Sequence, residues 1–211
     1  MSNIKRIAVL VSGGGTNLQA LIDAQNRGEI PSGQIVCVIS SNQNAYALER
    51  AKNNNIPTCV ISRKDYPDVD MYDNELISTL NNYQIDLVVL AGFMTILSNN
   101  FISAFRNRII NIHPSLIPSF CGEGFYGLKV HEEALKRGVK LTGATAHFVN
   151  EVCDGGPIIL QESVKIMSDD TPQTLQRRVM EQVEWKILPR AVALFCDDKI
   201  KVVGNTTIIS E

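Results

Sequence analysis

The chain has 211 residues, with 20 Lys and Arg against 22 Asp and Glu, a net charge of −2, and 45% hydrophobic residues. That is enough apolar material for a sizeable core, and no basic stripe suits bulk nucleic acid or an anionic membrane. No apolar span reaches bilayer length and no leader-like segment is evident, so a soluble, cytoplasmic protein is expected, monomeric or homodimeric.

Taken in order, Ile7 to Ser12 is a short apolar run, the pattern of a strand buried on both faces. Gly13-Gly14-Gly15-Thr16-Asn17 follows it, and Leu18, Leu21 and Ile22 then fall at helical spacing, with Gly28 as a stop signal. Ile35 to Ile39 predicts a second buried strand, ended by Ser40, Ser41 and Asn42. Ala45 to Asn53 reads as a helix and Thr58 to Ile61 as a third strand. Asp70 to Tyr83 is helical, with Met71, Leu76, Ile77 and Leu80 on one side. Leu87 to Ala91 is the fourth strand, Gly92 to Leu97 its loop, and Ser98 caps a short helix to Phe105.

Strands alternating with helices predict an α/β fold: a Rossmann-like, open, mostly parallel twisted sheet with helices on both faces. Right-handed crossovers put the strand C-termini on one edge, where such sheets bind ligands. Ser12, Ser40, Gly92 and His113 all lie at such ends, so they point at a single crevice.

The fifth strand runs from Ile109 to His113. Its period of two places Asn111 and His113 on one face. The first is an amide that can donate to a developing oxyanion, and the second an imidazole that titrates near neutral pH. Pro114 and Pro118 stiffen the exit. A strand-end cap beside a surface histidine has the same pattern.

The loop Ser119 to Gly127 is rich in Gly and aromatics and reads as mobile surface. Lys129 to Arg137 is a helix closed by Gly138. Thr142 to Val149 and Ile158 to Val164 read as strands joined by the turn Asn150 to Pro157, an antiparallel addition to the sheet. Thr171 and Pro172 form an N-cap and N1 pair for one long helix, Gln173 to Phe195. The polar tail, Lys199 to Glu211, is given one edge strand.

The glycine loop sits between a strand and a helix, where uncapped amides and the helix dipole favour an anion such as phosphate. Leu18 stands where a dinucleotide fingerprint wants its last Gly, and no Lys follows as in a nucleotide P-loop. Among the three histidines, His131 lies beside Glu132 and Glu133 and reads as solvated or supporting, while His147 reads as a hydrogen-bonded core residue. His113 is the general acid/base candidate and Asp154, in a Gly-Gly-Pro turn, the orienting acid, although a turn cap is the commoner fate of such an Asp. The five cysteines (Cys37, Cys59, Cys121, Cys153 and Cys196) are widely spaced, which suits neither a disulfide framework nor zinc. Cys37 and Cys59 are expected in the core. No metal is expected, and Ser115 lacks a nucleophile elbow.

Four motifs taken together resemble the phosphoribosylglycinamide formyltransferase family, the folate-dependent enzymes of purine synthesis. They are Ser12-Gly-Gly-Gly-Thr-Asn-Leu-Gln-Ala, Val89-Leu-Ala-Gly-Phe-Met-Thr-Ile-Leu, Asn111-Ile-His-Pro-Ser-Leu-Ile-Pro, and Ala146-His-Phe-Val followed by Asp154-Gly-Gly-Pro-Ile-Ile. The resemblance implies formyl transfer from 10-formyltetrahydrofolate, as co-substrate, to the amine of phosphoribosylglycinamide. It implies that Gly15, Thr16 and Asn17 hold the phosphate and that Glu184 touches the ribose. The folate would lie against Met94, Thr95, Ile96, Leu97, Asn111, Asn150, Glu151, Val152, Cys153 and Asp154. Asn111, His113 and Asp154 would be the catalytic set. Residues 1–211 would form one domain, residues 1–113 its phosphate-binding half and 114–211 its folate and catalytic half. Thr95 stands where many relatives carry Arg and Val69 where some do, and the loop Cys121 to Gly127 is longer than in the shorter relatives. Within the resemblance, a formyltetrahydrofolate hydrolase shares the catalytic core; outside it, a non-catalytic phosphoribosyl binder would keep only the glycine loop.

Overall fold

The computed structural model describes residues 4–210, so Glu211 of the expected tail lies outside the described residues. Seven strands form one sheet in the order β3-β2-β1-β4-β5-β6-β7. These are β1 Lys5–Val11, β2 Gly33–Ser40, β3 Thr58–Val60, β4 Leu87–Leu90, β5 Ile109–His113, β6 Leu141–Phe148 and β7 Ile158–Lys165. Pairs among β1 to β5 are parallel, and β5–β6 and β6–β7 are antiparallel, as the alternating and then hairpin-like pattern predicts.

Strand β1 alternates its side chains between two cores. Ile7, Val9 and Val11 face α1 (Thr16–Asn26), α2 (Tyr46–Asn53) and α7 (Trp185–Cys196). Ala8 and Leu10 face α3 (Val69–Asn82) and α4 (Asn99–Ala104). A strand apolar on both faces is therefore covered on both. Chain growth reverses between β1 and β4, so the loops after those two strands part and leave a crevice at the sheet's C-terminal edge.

Helix starts follow capping chemistry. Asp68 accepts from the Met71 amide at 2.8 Å to open α3, and Ser98 accepts from the amides of Asn100 and Phe101 to open α4. Thr171 and Thr174 form a reciprocal capping box, with Pro172 at N1, at the start of α6 (Pro172–Val179). α5 (Leu128–Arg137) ends at Gly138, whose φ of 74° is the left-handed closure expected of it.

The expected single long helix is instead two helices joined by a π turn, Met180–Glu184, between α6 and α7. Its buried positions explain why. Leu175, Val179, Val183, Ile187 and Ala191 recur every four residues and all belong to the core. Steps of four overshoot a 3.6-residue turn by about 40° each, so the stripe would drift off the sheet. The wider π turn takes up part of that drift. The tail also differs from expectation: it forms a hairpin of two strands, β8 Ile200–Val203 and β9 Thr206–Ile209, rather than one strand. Gly204, with φ 58°, supplies the mirror-type turn that a two-residue hairpin loop needs. Cys37 is buried as expected, whereas Cys59 is only half-buried on the edge strand β3.

Candidate active site

The loop after β1 is built to leave amides free. Gly15 is the N-cap of α1 with φ 73°, and no side chain caps that helix, so its first N–H groups face outward. A Cβ on Gly15 would stand 2.6 Å from the Ala47 Cβ, so only glycine lets the loop lie this close to α2. Helix α2 grips the loop by two carbonyls: the Ala47 amide donates to Gly13 O at 3.0 Å, and Arg50 Nε donates to Gly14 O at 2.8 Å. The Arg50 guanidinium also lies 5.0 Å over the Tyr46 ring and donates to Gln19 Oε1 at 3.3 Å. It brings positive charge to the loop.

The loop reaches the π turn on its other side. Asn17 Nδ2 donates to Glu184 Oε2 at 2.7 Å, and Asn17 Oδ1 is buried without a protein partner. Glu184 is 6% exposed. Burial pushes its carboxyl up to about 7, an effect that the Asn17 hydrogen bond only partly offsets. Thr16, Asn17 and Glu184, far apart in the chain, thus form one group.

Ser12 ties this group to the next loop. Its Oγ pairs with Ser41 Oγ at 2.6 Å and accepts from the Met94 amide at 2.9 Å. The ends of β1, β2 and β4 are therefore linked through one hydroxyl. Met94 and Ile96 are exposed on the loop after β4, Ile96 at 84%, with the half-buried Thr95 between them, an apolar lip beside the crevice. Leu97 departs from the expected lining: its side chain turns down into the core with Phe101 and Tyr72.

The second cluster lies at the end of β5. The β5–β6 register sets Asn111 opposite His147 and His113 opposite Thr145. His147 Nδ1 lies 2.8 Å from its acceptor Phe148 O, so that nitrogen carries the proton and Nε2 is the free acceptor. Asn111 Nδ2 donates to that Nε2 at 3.2 Å, which fixes the orientation of the amide and leaves a second N–H unused. Burial holds the His147 pKa below the usual imidazole value, against the opposing pull of the Phe148 carbonyl and Asp154, so the neutral tautomer fits.

His113, 4% exposed, has an acceptor at each ring nitrogen. Nδ1 lies 3.4 Å from Asp154 Oδ2, and Nε2 lies 2.9 Å from Phe120 O. A doubly protonated ring can donate to both. Asp154 Oδ1 lies 3.7 Å from His147 Nε2, and Gly122 N donates to Oδ2 at 2.9 Å. Asp154 thus stands between two histidines and the loop after Pro118. It adopts φ 53°, a left-handed conformation that costs a residue with a Cβ. The turn is forced there because Gly156 packs on β6: a Cβ at that glycine would meet Phe148 O at 1.9 Å.

The structure thus brings Asn111, His113 and Asp154 together, and separately Gly15, Thr16, Asn17 and Glu184. Asn150 shapes the Asp154 turn, accepting from Val152 N at 3.0 Å and donating to Gly155 O at 3.2 Å. Glu151 is ion-paired to Arg106, and Val152 and Cys153 are exposed at the turn. His131 corrects expectation. It is fully buried on the inner face of α5 with no partner at either nitrogen, and burial, with the nearby His113, drives its pKa down to about 4. The charges of Glu132 and Glu133 marked the outer face of that helix, not the side of the histidine. Sequence reading missed Ser12 as a cross-link, Arg50 as a brace and His147 as the orienter of Asn111. Only His147 had a usable signal, its place in a strand that pairs with β5. Among the described residues, no group of His, Cys, Asp and Glu is arranged to hold a metal ion, and no helix is long and apolar enough to cross a membrane.

The chain is similar to known proteins over nearly its whole length. The profile of the formyl transferase family matches residues 5–192, ending before β8. The phosphoribosylglycinamide formyltransferase of Haemophilus influenzae is 41% identical over 202 residues, covering 96% of this chain and 92% of that one. The crystal structure of glycinamide ribonucleotide transformylase 1 from Symbiobacterium toebii superposes with a TM-score of 0.94 at 40% identity, covering 100% of this chain and 96% of that one. A formyltetrahydrofolate deformylase from Pseudomonas syringae superposes with a TM-score of 0.88 at 31% identity, covering 100% of this chain and 67% of that one.

Proposed function

From the premise that the chain belongs to the phosphoribosylglycinamide formyltransferase family, we propose that it moves the formyl group of 10-formyltetrahydrofolate to the amine of phosphoribosylglycinamide in purine synthesis. The products are formylglycinamide ribotide and tetrahydrofolate. In this reading the phosphate sits on the free amides of Gly15, Thr16 and Asn17, with Arg50 as background positive charge. The ribose hydroxyls meet Glu184 and the unpartnered Asn17 Oδ1. The folate lies along Met94, Thr95 and Ile96, the backbone of Leu97, Asn111, and the turn from Asn150 through Glu151, Val152 and Cys153 to Asp154. Residues 1–113 hold the ribotide, and residues 114–211 add the folate wall, with Glu184 reaching back across the crevice.

The substrate amine is the nucleophile, so the protein needs none of its own. Attack on the formyl carbon makes a tetrahedral centre with an oxyanion. The spare Asn111 N–H and the His113 Nε2–H donate to it, each worth roughly 2–4 kcal/mol in the transition state. The formyl oxygen competes with the Phe120 carbonyl for that Nε2–H. Asp154, 3.4 Å from His113 Nδ1, holds the ring in place, and through a bridging water it can accept the proton leaving the amine. The folate nitrogen takes a proton as the carbon–nitrogen bond to it breaks. Fixing two substrates in one crevice supplies further acceleration.

The observation that carries this reading is the 3.4 Å approach of Asp154 to His113 beside an amide whose orientation His147 sets. The likeness to a deformylase favours one rival, hydrolysis of the same folate by water. Folate absorbance separates the two. Tetrahydrofolate released only when the ribotide is present supports transfer; release without it assigns the hydrolase, and no release in either mixture refutes both.

A further inference from the structure

We propose that the C-terminal hairpin β8–β9 is a clasp on the catalytic turn, with Asn205 as a positioning residue for Asp154. The inference rests on the reading of Asp154 as catalytic. Asn205 sits at the tip of the hairpin, next to Gly204, and its Nδ2 donates to Gly155 O at 3.2 Å. Gly155 is the residue after Asp154. Two positions along β9, the Thr207 hydroxyl donates to Ile158 O at 2.7 Å. The hairpin therefore holds the Asp154 turn on both sides of Gly156-Pro157, by the carbonyl just after the aspartate and the one that opens β7.

The turn has need of such restraint. Asp154 pays for its φ of 53° and keeps it only while its neighbours over-determine the backbone. From within, the turn is held by Asn150, which donates to the same Gly155 O at 3.2 Å, and by the Gly155 amide on Val152 O at 2.9 Å. From outside the turn, Asn205 adds a second donor to the Gly155 carbonyl, while Gly122 N holds the Asp154 side chain. Rotation of the Asp154–Gly155 backbone would carry Oδ2 away from His113 Nδ1, now 3.4 Å distant, and Oδ1 away from His147. Because proton transfer and charge pairing fall off steeply with misplacement, a loosened clasp lowers turnover. The phosphate loop, with no hydrogen bond to the hairpin among the described residues, keeps its grip on the ribotide.

The test uses the full chain with Asn205→Ala and Thr207→Val, and Lys201→Ala, exposed on the same hairpin, as control. Steady-state kinetics should show kcat lowered about three- to tenfold in the first two, as expected for one lost neutral hydrogen bond. The KM for phosphoribosylglycinamide should stay within about twofold, and the control should match wild type. Amide hydrogen exchange should quicken at Gly155 in the same variants and stay unchanged in β1 and β4. A lowered melting temperature with kcat intact would make the hairpin purely structural and overturn the proposal, as would unchanged kcat and exchange. If wild type transfers no formyl group, the role given to Asp154 fails first, and the clasp has nothing to position.

Discussion

At the scale of single residues, the candidate site is two groups that share little chemistry. One uses backbone amides. The other uses an imidazole, an amide and a carboxylate whose orientations fix one another. Arg50 belongs to the first: its Nε on Gly14 O both holds the loop and adds charge beneath it. Arg50→Ala should raise the KM for the phosphorylated substrate about three- to tenfold, with kcat nearly unchanged, in steady-state assays at low salt. Glu184 gives a prediction on stability. Its folded pKa lies near 7, above the ordinary carboxylate value, so between about pH 4.5 and 7 the unfolded chain has released a proton that the folded one retains. Stability therefore falls as pH rises through that window, by up to about 3 kcal/mol, and levels off above it. Denaturant melts of the ligand-free protein should show this slope, and Glu184→Gln should flatten it.

At the scale of elements, the sequence shows most of what places the site and little of what orients it. The parallel half is legible because the runs Ile7 to Val11, Ile35 to Ile39 and Leu87 to Leu90 are apolar on both faces, and because Gly28, Ser98, Thr171 and Gly138 mark helix ends by local chemistry. Asn111 and His113 could be paired by period alone. The π turn could not be read so directly, since its trace is only a spacing of four repeated too often. Nor could the approach of Asp154 to His113 be read from the chain. It depends on β6 pairing antiparallel with β5 and on the turn after β6 folding back, which are contacts between distant segments. The second hairpin strand was hidden because its residues are mostly exposed and so carry no burial pattern. The fold-back hinges on Gly156. Gly156→Ala would drive a Cβ into Phe148 O, and should cost about 2–3 kcal/mol, seen as a fall in melting temperature of about 5–10 °C. Turnover should fall with it, because the turn that carries Asp154 must move.

At the scale of the whole molecule, the parallel sheet supplies one side of the crevice and the antiparallel extension supplies the other. The loops after β1, β2 and β4 are cross-linked through Ser12, so the glycine loop and the Met94 loop are set on one frame. Across the crevice, β6, the Asp154 turn and the hairpin bring the carboxylate to the end of β5. Convergence of these two halves on one crevice is the central claim, and Asp154→Asn tests it most directly. The substitution keeps the shape and removes the charge. Transfer measured with saturating 10-formyltetrahydrofolate and phosphoribosylglycinamide should show kcat reduced about 10²- to 10⁴-fold with both KM values within a few-fold of wild type. Turnover close to wild type, or a loss confined to substrate binding, would contradict the account.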